Sequence, residues 1–397
     1  MDNKLEGTEG TDLLIRCTAE GGKPPPDVKV TILDGTGSNG IKEVNYTIPT
    51  ISRDYHRRTI VCKATSNAFN ISMTATAHIY LNLKPLTPIF NSKEISTEET
   101  EPLRVSCISY GSRPAATFTW SIGGKDVTSN SAASQPVTES NDTKTVTSTL
   151  TASVNRSHTN QIIICRASNT VGSVSVGKNL DVKYAPSIDV SNYTLLNSDG
   201  STSILCIPSG NPNVYTYYKW QHMSPYGQLI RELDGNKILT LPNVRDEFKY
   251  QDSGVYVCTA SNGVISSNGN LKQIGSSFIT INAIPVFTVD NTEYTYGELG
   301  KSLDLSVHVY SGTKLTSVKW FKENYQVISS SDKYSVAETQ NTVDVRFHNK
   351  VIKFDGYRVT LTITNITLDD FSSYVLQVAN TIEQPVVYKK YMEPVGM

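Results

Sequence analysis

The 397-residue sequence contains no apolar run of roughly 18 residues, the length that would suggest a membrane-spanning helix. Direct insertion into a bilayer is therefore not expected of it. Its start, MDNKLEGTEG, lacks the charged-then-apolar order of a secretory leader, and the chain reads as a fragment of a longer protein. No block of one charge occurs: 36 Lys and Arg are interspersed with 37 Asp and Glu, for a net charge of −1. That argues against a nucleic-acid partner and against an acidic tail. Histidine is scarce, with six residues scattered at 56, 78, 158, 222, 308 and 348. Serine-hydrolase, zinc-protease, phosphate-loop and dinucleotide motifs are all missing, and carboxylates are not paired in any local catalytic motif. DGTGSNG (34–40) is glycine-rich, but no helix pattern follows it, so it reads as an inter-strand loop and not a phosphate cradle. No C-x-x-C or Cys/His cluster is present to hold a metal. The chain is expected not to be an enzyme and to need no cofactor or metal. The densest basic spot, Arg53 with His56, Arg57 and Arg58, reads as a solvated strand edge with local ion pairs before an anion site.

What is present favours strands. Apolar residues make up 38%, which suits several small cores, and 21 tyrosines accompany many Thr, Val and Ile. The length allows roughly two to four domains. Cysteines stand at 17, 62, 107, 165, 206 and 258. Six cysteines permit many connectivities, so spacing alone leaves the pairing open. Their flanks repeat. Cys107 is followed by Gly111 and Trp120, and Cys206 by Gly210 and Trp220. Cys165 and Cys258 sit in IICRASN and YVCTASN, and Cys62 in the looser IVCKATSN. A further copy lacks the cysteine. YQDSGVYVCTASNGV (250–264) matches DDFSSYVLQVANTI (369–382), with Asp252/Asp370, Tyr256/Tyr374 and Asn262/Asn380 in register and Leu376 in place of Cys258.

The order Cys, Trp, Tyr, Cys with DSGVYVC resembles the immunoglobulin superfamily over nearly the whole chain. The resemblance implies an all-β fold: four tandem immunoglobulin-like antiparallel β-sandwiches in an elongated array. It implies disulfides pairing Cys17 with Cys62, Cys107 with Cys165 and Cys206 with Cys258, with the strand-C indole packed on the bridge. The expected domains are 1–84, 85–184, 185–284 and 285–397. The first two resemble shorter C2-type domains of nectin-like and nephrin-like proteins, on GSRPAATFTW (111–120) and the weaker EGGKPPPDVKV (20–30). They depart from the pattern at Val30, where Trp is expected, and at Ile60 and Ile163, where Tyr is expected. The third is expected to be I- or C2-like. In the fourth, Val307 and Leu376 occupy the bridge positions, and Val359, Leu361 and Ile363 alternate inward. A bridge closing such a loop is worth about 4 kcal/mol in the chain-entropy model. Burying Val and Leu returns roughly 1.5–3 kcal/mol each. The longer spacing there suggests extra strands, as in V- or I-type domains. Asp252 and Asp370 are expected in structural ion pairs or turn hydrogen bonds, with Lys333 a mate for Asp370. The three tryptophans are expected in cores.

The joins LNLKPLTPIF (81–90), LDVKYAPSIDV (180–190) and ITINAIPVFTV (279–289) run through proline from strand to strand, which predicts stiff junctions. Three disulfides imply an oxidising compartment. Six N-x-S/T sequons, at Asn45, Asn70, Asn141, Asn155, Asn192 and Asn365, agree with glycosylation and an extracellular setting, at a cell surface or secreted. The resemblance then implies an adhesion or recognition receptor ectodomain. Its partner would be a protein, either the same chain type, as in a homodimer, or a related immunoglobulin protein. The alternative is an immune-type recognition protein binding a foreign or soluble ligand.

A binding face follows from strand alternation in the first domain. Val44, Tyr46 and Ile48 point inward, so a glycan on Asn45 would cover that sheet. The opposite sheet turns Lys29, Thr31, Thr59, Val61, Lys63, Thr74, Thr76, His78 and Tyr80 outward, with Ala75, Ala77 and Ile79 facing in. Val61 and Tyr80 are its apolar anchors. Asn70 falls in the hairpin beside this patch. The plainer reading of the patch is ordinary solvent-facing strand.

Overall fold

Apolar alternation becomes strand pairing throughout. The computed structural model describes residues 3–396, apart from 33–34, 67, 69–70, 192–193, 196–202, 243 and 324–325. Two compact units form, Met1–Tyr184 and Ala185–Met397, and each holds two β-sandwiches.

The first sandwich has strands β1 (Asn3–Thr8), β2 (Leu13–Thr18), β3 (Asp27–Ile32), β4 (Gly37–Ile41), β5 (Glu43–Ile48), β6 (Thr59–Ser66) and β7 (Ile71–Asn82). One sheet is only β2–β5; the other runs β1-β7-β6-β3-β4. The DGTGSNG segment is thus not wholly a loop, since Gly37–Ile41 pairs with β3 as a strand. Leu13, Ile15, Val28, Val30, Ile32 and Ile60 fill the core.

The second sandwich has β8 (Ile89–Phe90), β9 (Ile95–Glu98), β10 (Leu103–Ser112), β11 (Thr117–Ile122), β12 (Lys125–Asp126), β13 (Ser131–Ala133), β14 (Val137–Thr138), β15 (Lys144–Ala152), β16 (Ile162–Ser168) and β17 (Ser173–Val190). Its sheets are β13-β15-β10-β8, with β14 on β15, and β12-β11-β16-β17, with β9 on β17. The basic spot of the first sandwich meets the second. His56 Nε2 lies 3.0 Å from the Asn141 carbonyl, and Arg57 donates to the Ser140 carbonyl. Arg53 pairs with Glu9 and also donates to the Lys84 carbonyl. These side chains lie in and beside a short 3-10 turn (Arg53–Tyr55) and hold a junction, which corrects the solvated-edge expectation, while the Arg53–Glu9 pair is the local ion pair it included.

The third sandwich takes the end of β17 and adds β18 (Thr194–Leu195), β19 (Ser203–Asn211), β20 (Thr216–Tyr217), β21 (Trp220–Met223), β22 (Leu229–Leu233), β23 (Ile238–Thr240), β24 (Gly254–Ser261) and β25 (Gln273–Ile281). Its sheets are β17-β19-β23 and β18-β25-β24-β21-β22, with β20 on β24. The fourth has β26 (Val286–Phe287), β27 (Tyr294–Gly297), β28 (Leu303–Tyr310), β29 (Leu315–Lys322), β30 (Gln326–Val327), β31 (Tyr334–Phe347), β32 (Lys350–Ile363), β33 (Ser373–Asn380) and β34 (Val386–Pro394). They form β26-β28-β32-β31 and β27-β34-β33-β29-β30. Pairing is antiparallel, except that each sandwich closes one sheet with a parallel pair: β1–β7, β9–β17, β18–β25 and β27–β34.

The bridges are Cys17–Cys62, Cys107–Cys165 and Cys206–Cys258. Register explains the substitutions. Trp120 lies opposite Cys165, and Trp320 lies opposite Leu376 in the same relation. Val30 lies opposite Cys62, so valine fills the indole slot of the first sandwich. Val307 and Leu376 are fully buried, in one cluster with Trp320, Val359, Leu361 and Ile363. Aliphatic contact closes the fourth core where a bridge closes the others.

Between Val307 and Leu376 the fourth sandwich carries β29, β30, β31 and β32, and much of its extra length goes into the last two. They form a hairpin of 14 residues each, in unbroken register. His348 and Asn349 form its two-residue turn, both with positive φ (42° and 68°), the conformation of the tight hairpin turns that match strand twist. The end of the hairpin leaves its own sandwich and builds a separate core with the third. Val343, Val345, Phe347, Ile352 and Phe354 pack with Tyr310, Ala283, Ile230 and Tyr250. Phe347 and Phe354 stack at 4.2 Å, and the Tyr250 hydroxyl donates to the Arg346 carbonyl.

Candidate recognition surface

Antiparallel partners share a face, so register assembles the surface. In the first sandwich Lys29 stands opposite both Lys63 and Asn39, and Lys63 stands opposite Thr74. The next row on this face is Gly37, Thr31, Val61 and Thr76. Beyond it Thr59 faces His78, which pairs in turn with Lys4. The structure thus brings Lys29, Thr31, Val61, Lys63, Thr76 and His78 onto one five-stranded sheet. Lys29, Lys63 and Thr76 are exposed; Thr31, Val61 and His78 are half-buried. The His78 ring lies 3.1 Å from the Thr59 hydroxyl. A shallow depression of about 450 Å³ runs along Asp27, Lys29, Asn39 and Ile41 at the edge of this face.

Tyr80 does not join them as a free anchor. It is half-buried at the junction with the second sandwich, edge-on to His56 at 6.0 Å, with Lys4 and Arg113 over its ring. The alternation also fails at Ala75, which is exposed although it lies opposite Cys62. Past that point β7 carries exposed Met73 and Ile71.

Asn45 is exposed on the two-stranded sheet, where its amide donates to Glu43, itself paired with Arg16. Asn141, Asn155 and Asn365 are also exposed. In the sequons of Asn141 and Asn155 the Asn Oδ1 accepts from the Thr143 or Ser157 hydroxyl at 2.7 Å. Asn70 and Asn192 lie outside the described residues.

The acids of the repeated motif are structural. Asp370 meets Lys333 at 2.5 Å and Lys322 at 3.4 Å, and accepts from Thr367 and Tyr334. Burial pushes its carboxyl up, but the hydrogen bonds from Lys333, Thr367 and Tyr334 outweigh this and hold it well below the usual range. Tyr256 and Tyr374 donate to the Asp252 and Asp370 carbonyls, each at 2.9 Å, which builds a tyrosine corner. The repeated asparagine has a use too. The Asn169 amide reaches the Leu83 and Pro114 carbonyls, that of Asn262 the Pro212 carbonyl, and that of Asn380 the Ala283 carbonyl. It fastens the end of one strand to a preceding turn or join.

Sequence reasoning treated the histidines as scattered, yet folding gathers two of them. His348, at the hairpin turn, lies 3.3 Å from Asp252, which pairs with Arg231 at 2.5 Å. Its ring is 6.1 Å from that of His222, and His222 stacks on Tyr256 at 4.4 Å. Burial pushes the His222 ring down to about 3. The signal was the alternation in VDVRFHNKVIKF (343–354), longer than one sandwich needs.

Residues 88–175 match the family of CD80-like C2-set immunoglobulin domains. Bridges, buried indoles and tyrosine corners give the chain tandem immunoglobulin-like sandwiches, and its second sandwich carries the family match. The chain is similar to Kin of IRRE-like protein 3 of Mus musculus, 28% identical over 53% of this chain and 24% of that protein. Cell adhesion molecule 4 of Homo sapiens is 30% identical over 45% of this chain and 44% of that protein. Limbic system-associated membrane protein of Mus musculus is 23% identical over 53% of this chain and 54% of its own length. The chain thus spans between a quarter and about half the length of these relatives. Solved structures similar to it include that titled Dpr2 Ig1-Ig2 in complex with DIP-Theta Ig1-Ig3, at TM-score 0.41 and 15% identity over 78% of this chain and 100% of that one.

Proposed function

We propose that this chain is an extracellular recognition segment of an adhesion receptor, binding another immunoglobulin-domain protein, its own kind or a relative. The relatives named as adhesion molecules support this reading. The observation that carries it is the outward face of β3, β6 and β7, where a lysine row borders a Thr–Val–Thr row. Lys29 and Lys63 side by side favour a partner surface that offers carboxylates, since like charges facing each other cost free energy. Val61 supplies the apolar centre that such interfaces concentrate their energy around. Glycans on Asn45, Asn141, Asn155 and Asn365 would shield other surfaces, with modules at 1–84, 85–184, 185–284 and 285–397.

The test is sedimentation across a concentration series, alone and with a related immunoglobulin chain, for the wild type and for K29E/K63E/V61D. Association should weaken at least about tenfold, a loss of about 1.4 kcal/mol, with the thermal midpoint unchanged. Unaltered association by a folded variant would remove this face from consideration.

A further inference from the structure

Beside the hairpin, the third and fourth sandwiches enclose a cleft of about 570 Å³, within the range of small-molecule sites. Buried Tyr310 and Phe354 lie at its base. Each sandwich adds one accessible ring: Phe278 from β25, 46% exposed, and half-buried Tyr357 from β32. Around them the lining is amide and hydroxyl. Gln340 on β31 stands opposite Tyr357 and so shares its face, as Thr280 shares a face of β25 with Phe278, and the side chains of Gln340 and Thr280 have no hydrogen-bond partner among the described residues. An amide and a hydroxyl thus stand beside the two accessible rings without an internal partner.

That inventory selects a ligand class. A purely apolar ligand would bury the Gln340 amide and the Thr280 hydroxyl unpaired, which costs free energy. A charged ligand finds no net field. The two ionised groups at the cleft, Lys314 and Asp355, are of opposite sign, and the Tyr226 hydroxyl already holds Asp355 at 2.5 Å. A neutral molecule with hydroxyls on its rim and a C–H face for a ring satisfies every part of the lining. We propose that this cleft binds a neutral oligosaccharide, with a sugar face against Phe278 or Tyr357 and its hydroxyls on Gln340 and Thr280. The volume admits about two sugar rings.

Calorimetry and saturation-transfer NMR on the full chain test this with chitobiose, lactose and maltose, and with methyl glucuronide as the charged comparison. At least one neutral probe should bind saturably, with a Kd of about 1 mM or tighter. The Gln340→Ala/Thr280→Ala variant should weaken it at least about tenfold, with the unfolding midpoint unmoved, because neither side chain has an internal hydrogen-bond partner. A second arm offers a glycoprotein bearing a neutral oligomannose chain and the same protein without it. Binding to the glycosylated form alone assigns a protein-borne glycan, and binding to free sugars alone assigns a free saccharide; both uphold the site. The proposal is overturned by absence of saturable binding both to every free neutral probe and to the glycosylated protein, by equal binding in the double variant, by measurable and equal binding to the glycosylated and unglycosylated proteins, or by tighter binding of the glucuronide.

Discussion

At the scale of single residues, Val307 and Leu376 show what the bridge does by standing where it is absent. Both are fully buried, and Leu376 faces Trp320 as Cys165 faces Trp120. A cross-link acts largely on the unfolded chain, whereas an aliphatic contact acts on the folded one. The two positions should therefore still accept a bridge. Val307→Cys/Leu376→Cys is expected to form a disulfide and, when oxidised, to melt at a higher temperature than its reduced form, by up to about 4 kcal/mol of added stability. Two free thiols titrating under oxidising conditions would contradict the equivalence. These positions were legible in the sequence because cysteine, tryptophan and tyrosine are rare and fixed in order. Asn169, Asn262 and Asn380 were visible as repeats, but their bonds to a turn or join carbonyl were not, since a carbonyl leaves no mark in a sequence.

At the scale of elements, the β31–β32 hairpin is what the sequence hid. Its spacing alone suggested additional strands. Its use depends on Ile230 and Tyr250, about a hundred residues earlier, being free to receive Phe347 and Phe354. Such a core is non-local, and local alternation cannot report it. The face of the first sandwich was legible because register there is short and regular, and Tyr80 was misread because a neighbouring sandwich reaches its ring. β21, whose His222 ring lies 6.1 Å from that of His348 at the hairpin turn, carries a pH dependence. His222 titrates near 6.5 when unfolded and near 3 when folded, because burial disfavours its charge. Between those values the unfolded state binds more protons, so stability falls as pH drops from about 6.5 toward 3. The slope from this group approaches about 1.4 kcal/mol per pH unit. Denaturant titrations from pH 7 to about 4 should show that decline in the wild type. His222→Phe should be weaker at neutral pH, having lost its bond to the Ser253 carbonyl, yet show a shallower decline. Parallel slopes would remove His222 as the cause.

At the scale of the whole molecule, the chain is a series of four immunoglobulin-like sandwiches. Its relatives include named cell adhesion molecules, and it spans between a quarter and about half of their length. Nothing in these cores distinguishes one recognition protein from another, because the bridges, indoles and tyrosine corners serve stability. The functional difference rests on outward residues, where Lys29, Thr31, Val61 and Lys63 follow from alternation but their partner does not. The central claim is that this face makes the contact between molecules, and bead clustering reads it directly. Beads coated with the wild-type chain, or mixed with beads bearing a related immunoglobulin chain, should cluster. K29E/K63E/V61D beads should stay dispersed, while a control at exposed Lys319 in the fourth sandwich, K319E, clusters as the wild type does. Clustering that survives the triple variant, or that the control abolishes instead, would contradict it.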